Sequence, residues 1–315
     1  MMHDLSLAVC KLSTVVIRRN SASNTMTDSH HKIIDPHLHL FNLQKGDYAW
    51  LKPQNPPFWP DKQIINKSFV EADVWMYPPQ QLAGFVHIEA GFDNHLPWRE
   101  IDWLQQHCSI PFSSVAFADI TATTFAEHIK LLKQRKSVVG IRYILDEQAE
   151  QILTSELIDQ HFALLSQYEF SFDAQLSLAD APAIEQLFKL ATKHKSVRII
   201  INHGGAPPTK NDVYSQGKWK LNLQKLSQCE NVAIKLSGWE MSNRAWQPEH
   251  AANVIQDCIV TLGDTRVMLA SNFPLCLLSM SYADIWNTYA VLPEISAQCF
   301  EKITFSNAKS WYRLP

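Results

Sequence analysis

The stretch KIIDPHLH, residues 32–39, decides how the chain is to be read. It has the length and apolar character of a strand. Side chains alternate along a strand, so His37 and His39 fall on one face at its carboxyl end. Working outward, seven further β-rich runs follow: GFVHIEA (84–90), SSVAFAD (113–119), VVGIRYIL (138–145), FSFDAQL (170–176), VRIIINH (197–203), NVAIKLS (231–237) and RVMLASN (266–272). Between them lie helical patterns such as 126–136, 155–168, 180–194 and 249–263. Strand–helix alternation with β-branched runs argues for parallel βα units. Eight such units predict a (β/α)8 TIM barrel with an insertion after the first strand. A doubly wound open sheet is the alternative, but no G-x-G-x-x-G follows any strand.

At 315 residues with 46% hydrophobic content, the chain suits one large barrel domain. A formal charge of -3 and a pI near 6.5 argue against nucleic acid or an anionic membrane as partner. No apolar run approaches the roughly 20 residues that span a bilayer. The six cysteines form no C-x-x-C pair, which points to reduced, buried structural thiols in a cytoplasmic protein. Residues 1–25 have their charges after the apolar runs, the reverse of a secretory signal. They are expected to lie outside the fold, with Met26 as a natural start and one domain over 26–315.

Residues 43–82 break the alternation and carry prolines and aromatics, so they should form an ordered insertion over the active site. A second lid is expected at 204–219. Barrel enzymes carry reactive groups at the carboxyl ends of their strands. The polar residues closing the eight runs are His37 and His39, then Glu89, Asp119, Arg142, a Ser171–Asp173–Gln175 face, His203, Lys235 with Ser237, and Asn272. Polar closure of nearly every strand is hard to explain by packing.

Each position also has a plainer reading. An H-x-H pair can simply cap a strand; its place here, with His203 ending a later strand, favours a site. His87 reads as a satisfied interior histidine. His30, His31, His95, His107, His128, His161, His194 and His250 read as surface residues of loops, helices or the leader. Arg142 and Lys235 are each either a clamp for a substrate carboxylate or a structural ion pair.

The runs IIDPHLHLFN, GDYAWL, VVGIRYIL, INHGGAP, NVAIKLSG and VMLASNFPLC, followed by SNAKSWY, resemble the amidohydrolase-related, metal-dependent TIM-barrel hydrolases. That family includes sugar-acid lactonases and pyrone-dicarboxylate or muconolactone hydrolases. The resemblance runs in order from about Ile33 to Tyr312. It implies that His37, His39 and His203 match the family's histidines, and that Arg142 matches an arginine that binds substrate anions. It also implies a small anionic substrate and, on the three histidines, one divalent metal such as zinc or manganese, although some relatives work without metal. An oligomer is compatible with it.

One position departs from the pattern. Where the family reads Gly-Ser-Asp-Trp-Pro, this chain has Ala270, Ser271, Asn272, Phe273 and Pro274. A carboxamide cannot act as general base at ordinary pH, and loss of such a base costs on the order of 10²–10⁴ in rate. The expectation is a hydrolase that opens a lactone or related cyclic ester, with Glu89, Asp119 or Asp173 replacing the base. The alternatives are an impaired relative that only binds its ligand, and a decarboxylase on the same scaffold.

Overall fold

The computed structural model describes residues 31–293 and 295–315. The expectation for residues 1–25, and those for Cys10 and His30, lie outside the described residues. Eight strands run β1 (His31–Leu38), β2 (Gln80–Ile88), β3 (Phe112–Phe117), β4 (Val138–Ile144), β5 (Ser171–Gln175), β6 (Ile199–Ile201), β7 (Val232–Leu236) and β8 (Val267–Leu269). Each pairs in parallel with the next in sequence order. A parallel bridge between Leu38 and Phe273 brings the last strand back to the first, so the sheet forms the (β/α)8 barrel.

Strand alternation separates the core into two compartments. Ile34, Val86, Val115, Ile200, Ala233 and Met268, one residue from each of six strands, form one cluster. Only the barrel interior can bring them together. Their neighbours in sequence, among them Ile33, Phe85, Ile199, Ile234 and Val267, belong to the larger cluster beneath the helices. Full burial of such side chains stabilises by ~1.5–3 kcal/mol each. Ala308, Tyr312 and Leu314 join the inner cluster from the C-terminal segment. A Cβ on Gly84, at the middle of β2, would lie 3.0 Å from Leu314 Cδ2. The chain end therefore plugs the barrel from below.

The outer layer comprises α1 (Trp98–His107), α2 (Phe125–Leu132), α3 (Ala149–Leu153), α4 (Glu156–Tyr168), α5 (Ala181–Lys193), α6 (Val213–Ser227), α7 (Trp239–Ser242), α8 (Pro248–Leu262), α9 (Tyr282–Ala290), α10 (Ala297–Glu301) and α11 (Asn307–Trp311). Ser155, Asp180, Asp212 and Ser281 each accept a main-chain N–H at a helix start. Such caps contribute ~1 kcal/mol apiece. Among the described residues no helix is long and apolar enough to cross a membrane.

The insertion after β1 is ordered by its own contacts. It holds three single 3₁₀ turns, at Ala49–Leu51, Lys62–Ile64 and Glu71–Asp73. The buried ammonium of Lys62 donates to the carbonyls of Trp50, Lys52 and Asn55 at 2.9, 3.2 and 2.7 Å. Trp50 Nε1 donates to Ala90 O at 2.8 Å, tying the insertion to the end of β2.

Three expectations need correction. Only 206–212 of the second lid is loop, because a 3₁₀ turn spans His203–Gly205 and α6 already starts at Val213. His161 is not a surface residue: it lies on the buried face of α4 with Ile158, Phe162 and Leu165, at helical spacing. Its ring stacks on Phe125 at 4.2 Å, and Nδ1 bonds Ile120 O at 2.8 Å. Cys229, Cys258 and Cys276 are buried free thiols, whereas Cys108 and Cys299 are only half-buried.

Candidate active site

His37, His39 and His203 meet at the carboxyl end of the barrel. The ring centroid of His37 lies 5.0 Å from that of His39 and 4.6 Å from that of His203. His37 is fully buried, and neither ring nitrogen has a partner. Buried polar atoms are rarely left so, and the vacancy marks where a substrate or water belongs. His39 is held by Nδ1, which donates to Ile88 O at 2.8 Å, so its Nε2 carries the lone pair. His203 Nδ1 lies 3.1 Å from Ser237 Oγ, and His203 is the least buried residue of the three. Gly238 makes this packing feasible. Its φ is +73°, and a Cβ there would sit 2.7 Å from His203 Nδ1. His87 is the satisfied interior histidine expected: Nε2 bonds Glu100 Oε1 at 3.0 Å and Nδ1 accepts from Leu40 N at 3.3 Å.

Two buried cations flank the cluster. Arg142 donates Nε to Glu89 Oε1 at 2.8 Å, and a second guanidinium nitrogen to Glu89 O at 2.9 Å. Both side chains are buried, so the ion-pair reading holds and Glu89 is committed to it. Lys235 and Asp173 have no exposure at all, with Nζ 2.6 Å from Asp173 Oδ2. The same oxygen accepts from Tyr312 Oη at 2.8 Å. Asp173, expected as a substitute base, is thereby engaged from two sides.

The other expected residues are less central. Asp119 accepts from Thr121 N at 2.9 Å and Thr121 Oγ1 at 2.7 Å, a local turn. Gln175 Nε2 lies 3.5 Å from Asp146 Oδ1, at the limit of a hydrogen bond. Ser171 bonds weakly to Val139 O, at 3.4 Å.

Asn272 sits at φ +61°, backbone that Asn tolerates better than most residues, and its N–H donates to His37 O at 2.9 Å. Its Nδ2 donates to Glu240 Oε1 at 2.5 Å. Glu240 is fully buried, and Oε2 has no partner. Sequence reading missed Glu240, because it follows the β7 run within the apolar stretch GWEM. A glutamate just past a barrel strand, among residues otherwise fit for burial, was the available signal.

The electrostatics follow from burial. Desolvation, with Lys235 and Arg142 adding to it, lowers the His203 pKa to about 3. Desolvation holds His37 well below its ordinary value, with Lys235 next in effect. His39 is held down by desolvation and then by Arg142. All three imidazoles are neutral at pH 7. Below pH 6.5 the unfolded chain binds a proton at position 203 that the folded chain refuses until about pH 3. Stability from this group therefore falls as pH falls across that window, by at most ~1.4 kcal/mol per pH unit. His203→Asn should show a flatter acid limb than the wild type in urea titrations between about pH 6.5 and 3. Parallel limbs would refute the assignment.

The three histidines carry the donor atoms that a divalent metal would need, but they are not drawn together around one point. Among the described residues no group of three His, Cys, Asp or Glu side chains is arranged to hold a metal ion. The fourth candidate position is the carboxamide of Asn272, and both flanking cations raise the positive potential that a divalent ion would meet. A cleft of about 650 Å³ lies between the insertion and the loop after β2, and is lined by residues including Trp50, Asp93 and Arg99. It does not reach the imidazoles.

Comparisons with known proteins agree with this fold. The chain is 30% identical over 298 residues to the uncharacterized protein y4mH of Sinorhizobium fredii, covering 90% of this chain and 98% of that one. It is 21% identical over 268 residues to the L-fucono-1,5-lactonase of Burkholderia multivorans, covering 80% and 85%. Its fold matches the crystal structure of an amidohydrolase from Burkholderia multivorans with bound HEPES, at a TM-score of 0.72, 18% identity and coverage of 90% and 99%. An amidohydrolase from the same organism, in another crystal form, carries bound zinc. The amidohydrolase family model matches residues 34–314. With nearly the whole barrel inside that match, the chain belongs to the amidohydrolase family.

Proposed function

We propose that this protein is a hydrolase that opens a lactone or a related cyclic ester of a small anionic molecule. The observation that carries the reading is the packing of three neutral imidazoles, with ring centroids 4.6 and 5.0 Å apart, against Arg142 and Lys235. Hydrolysis of a cyclic ester needs a proton acceptor for water and positive charge near the developing oxyanion. His203 suits the first task because one of its ring nitrogens is free to meet a water. Its Nε2 has no partner among the described residues, and Ser237 orients Nδ1. Water adds to the ring carbonyl carbon and passes a proton to the imidazole. The tetrahedral oxyanion forms in the field of Lys235 and Arg142. The ring C–O bond then breaks, and the imidazolium returns the proton to the leaving alkoxide.

The third guanidinium nitrogen of Arg142, which has no partner among the described residues, is left to meet a substrate carboxylate. The similarity to a sugar-acid lactonase supports the same chemical class. Nothing in this sequence of steps runs through a metal. The described residues act as a single barrel domain, and its partner is a small molecule.

A panel of sugar-acid and dicarboxylate lactones, assayed with a chelator and with added zinc or manganese, tests the reading. Turnover of at least one anionic lactone is expected, and chelation should leave it unchanged. Failure on every member, with ligand-induced stabilisation but no product, would establish a binding protein instead. Turnover that depends on added metal would overturn the metal-free route.

A further inference from the structure

The reaction as described places the developing oxyanion in a positive field but gives it no hydrogen-bond donor. Lys235 is engaged by Asp173 and, weakly, by the Pro36 carbonyl; Arg142 is engaged by Glu89, with one nitrogen left for a substrate carboxylate. One buried polar side chain beside the cluster has no task. It is Asn202, the residue just before His203 in the run INHGGAP. It is 1% exposed, and neither Oδ1 nor Nδ2 has a partner among the described residues. Its main chain is fully paired: the N–H donates to Ala174 O and the C=O accepts from Gly205 N, both at 2.9 Å. A carboxamide left unpaired in a core is destabilising, since an apolar side chain of the same branching would be buried without its desolvation cost.

Strand geometry says where this side chain goes. Ile199 and Ile201 belong to the cluster beneath the helices, and Ile200 to the barrel interior. Asn202 is still extended, at φ -83° and ψ 149°, so alternation turns it to the interior, one layer above Ile200. Only at His203, with φ +53°, does the chain leave the strand. The register supplies the neighbours. Ile200 pairs with Ala233 and Ile201 with Ile234 on β7, so the next step along sets Asn202 beside Lys235. Ala174 pairs with Ile201 on the other side, which sets Gln175 of β5 next to it. Asn202 shares the interior with other unpartnered atoms, Asp173 Oδ1 and both ring nitrogens of His37.

We propose that Asn202 is the oxyanion-binding residue of this site: its Nδ2 donates to the carbonyl oxygen of the lactone and holds that oxygen as it becomes an anion. When the water oxygen bonds to the carbonyl carbon, its proton passes to the imidazole and the carbonyl π pair moves onto the oxygen that Nδ2 meets. When the ring C–O bond breaks, the carbonyl re-forms and the leaving alkoxide takes the proton back. A carboxamide suits this task because it donates without titrating. A donor fixed by a strand needs no reorganisation during the step. The inference rests on the hydrolase reading for its chemistry.

The experiment uses the full-length protein and Asn202→Leu, which keeps the branching of the side chain and removes both polar atoms. Asn202→Ala guards against crowding by the broader methyl groups. In urea, at least one of the two should unfold at a midpoint equal to or above the wild type, because no hydrogen bond is lost. Lower midpoints in both would mean that the fold itself holds the carboxamide, and the proposal is then overturned. On a lactone that the wild type turns over, both variants should lower kcat by about 10²–10³, the range for removing one oxyanion donor, with KM within about threefold. A thiono analogue of the same lactone separates this role from a misplaced His203. Sulfur accepts hydrogen bonds weakly, so the variants should lose little on the thionolactone, whereas a displaced base would slow both substrates alike. Equal losses on the two substrates, or an unchanged kcat on the lactone, overturn the assignment. If the wild type turns over no lactone, the hydrolase reading falls, and Asn202 as a free interior donor stands or falls on the urea midpoints alone.

Discussion

Lys235→Met should lower the unfolding free energy by about 3–5 kcal/mol, the usual cost of removing one partner from a buried ion pair. Neither Lys235 nor Asp173 has any exposed side-chain surface, and their contact is 2.6 Å. Without the ammonium, the carboxyl keeps only the Tyr312 hydroxyl on Oδ2, and Oδ1 already has no partner. Ionised, it would be stranded in the barrel, so it takes up a proton instead. Burial already pushes the Asp173 carboxyl above its ordinary 3.8. In the variant its folded-state pKa lies still higher, because the counter-charge is gone. A raised carboxyl pKa favours the folded state at low pH, and that advantage is lost as pH rises above 3.8 through the folded value. The deficit of Lys235→Met should therefore be smallest near pH 4 and full at neutrality, read from urea midpoints at constant slope. Lys235→Met combined with Asp173→Asn should recover much of it. A deficit independent of pH would mean that lost packing, not a stranded charge, destabilises the variant.

The second large effect is chemical. With an anionic lactone as substrate, His203→Asn should reduce kcat/KM by on the order of 10²–10⁴, the range for losing a general base. Folding at pH 8 should be retained, because the imidazole is uncharged there and asparagine fits within its volume. Asparagine supplies hydrogen-bonding groups for Ser237 but no nitrogen that can take up a proton. The variant that is inactive at pH 8 is thus the same one expected to be less sensitive to acid. Activity within about tenfold of wild type would remove His203 from the proton-transfer role and direct attention to His37, whose two nitrogens are both unpartnered.

Much of the site was legible because strands report on themselves. KIIDPHLH and VRIIINH each announce a strand and the histidine that closes it, and barrel closure puts all such ends on one rim. Arg142 and Lys235 were visible in the same way, as charges inside apolar runs. Their partners were not. Glu89 and Asp173 looked equally free to act as bases, and only the folded chain shows each tied to a cation. His161 was misplaced because its helical neighbours were not used to decide which face of α4 is buried.

By itself the sequence determined the eight-stranded alternation, the H-x-H face, the histidine ending β6, and the carboxamide at position 272. All of these are local patterns, set by side-chain period and residue type. The tertiary structure alone decided that Tyr312 reaches Asp173 across 139 residues, and that Asn272 meets Glu240 across 32. Neither contact has a period or a motif. Each exists because closing the barrel brings strand ends and the C-terminal plug into one desolvated space, where every polar atom must find its partner or be left without one.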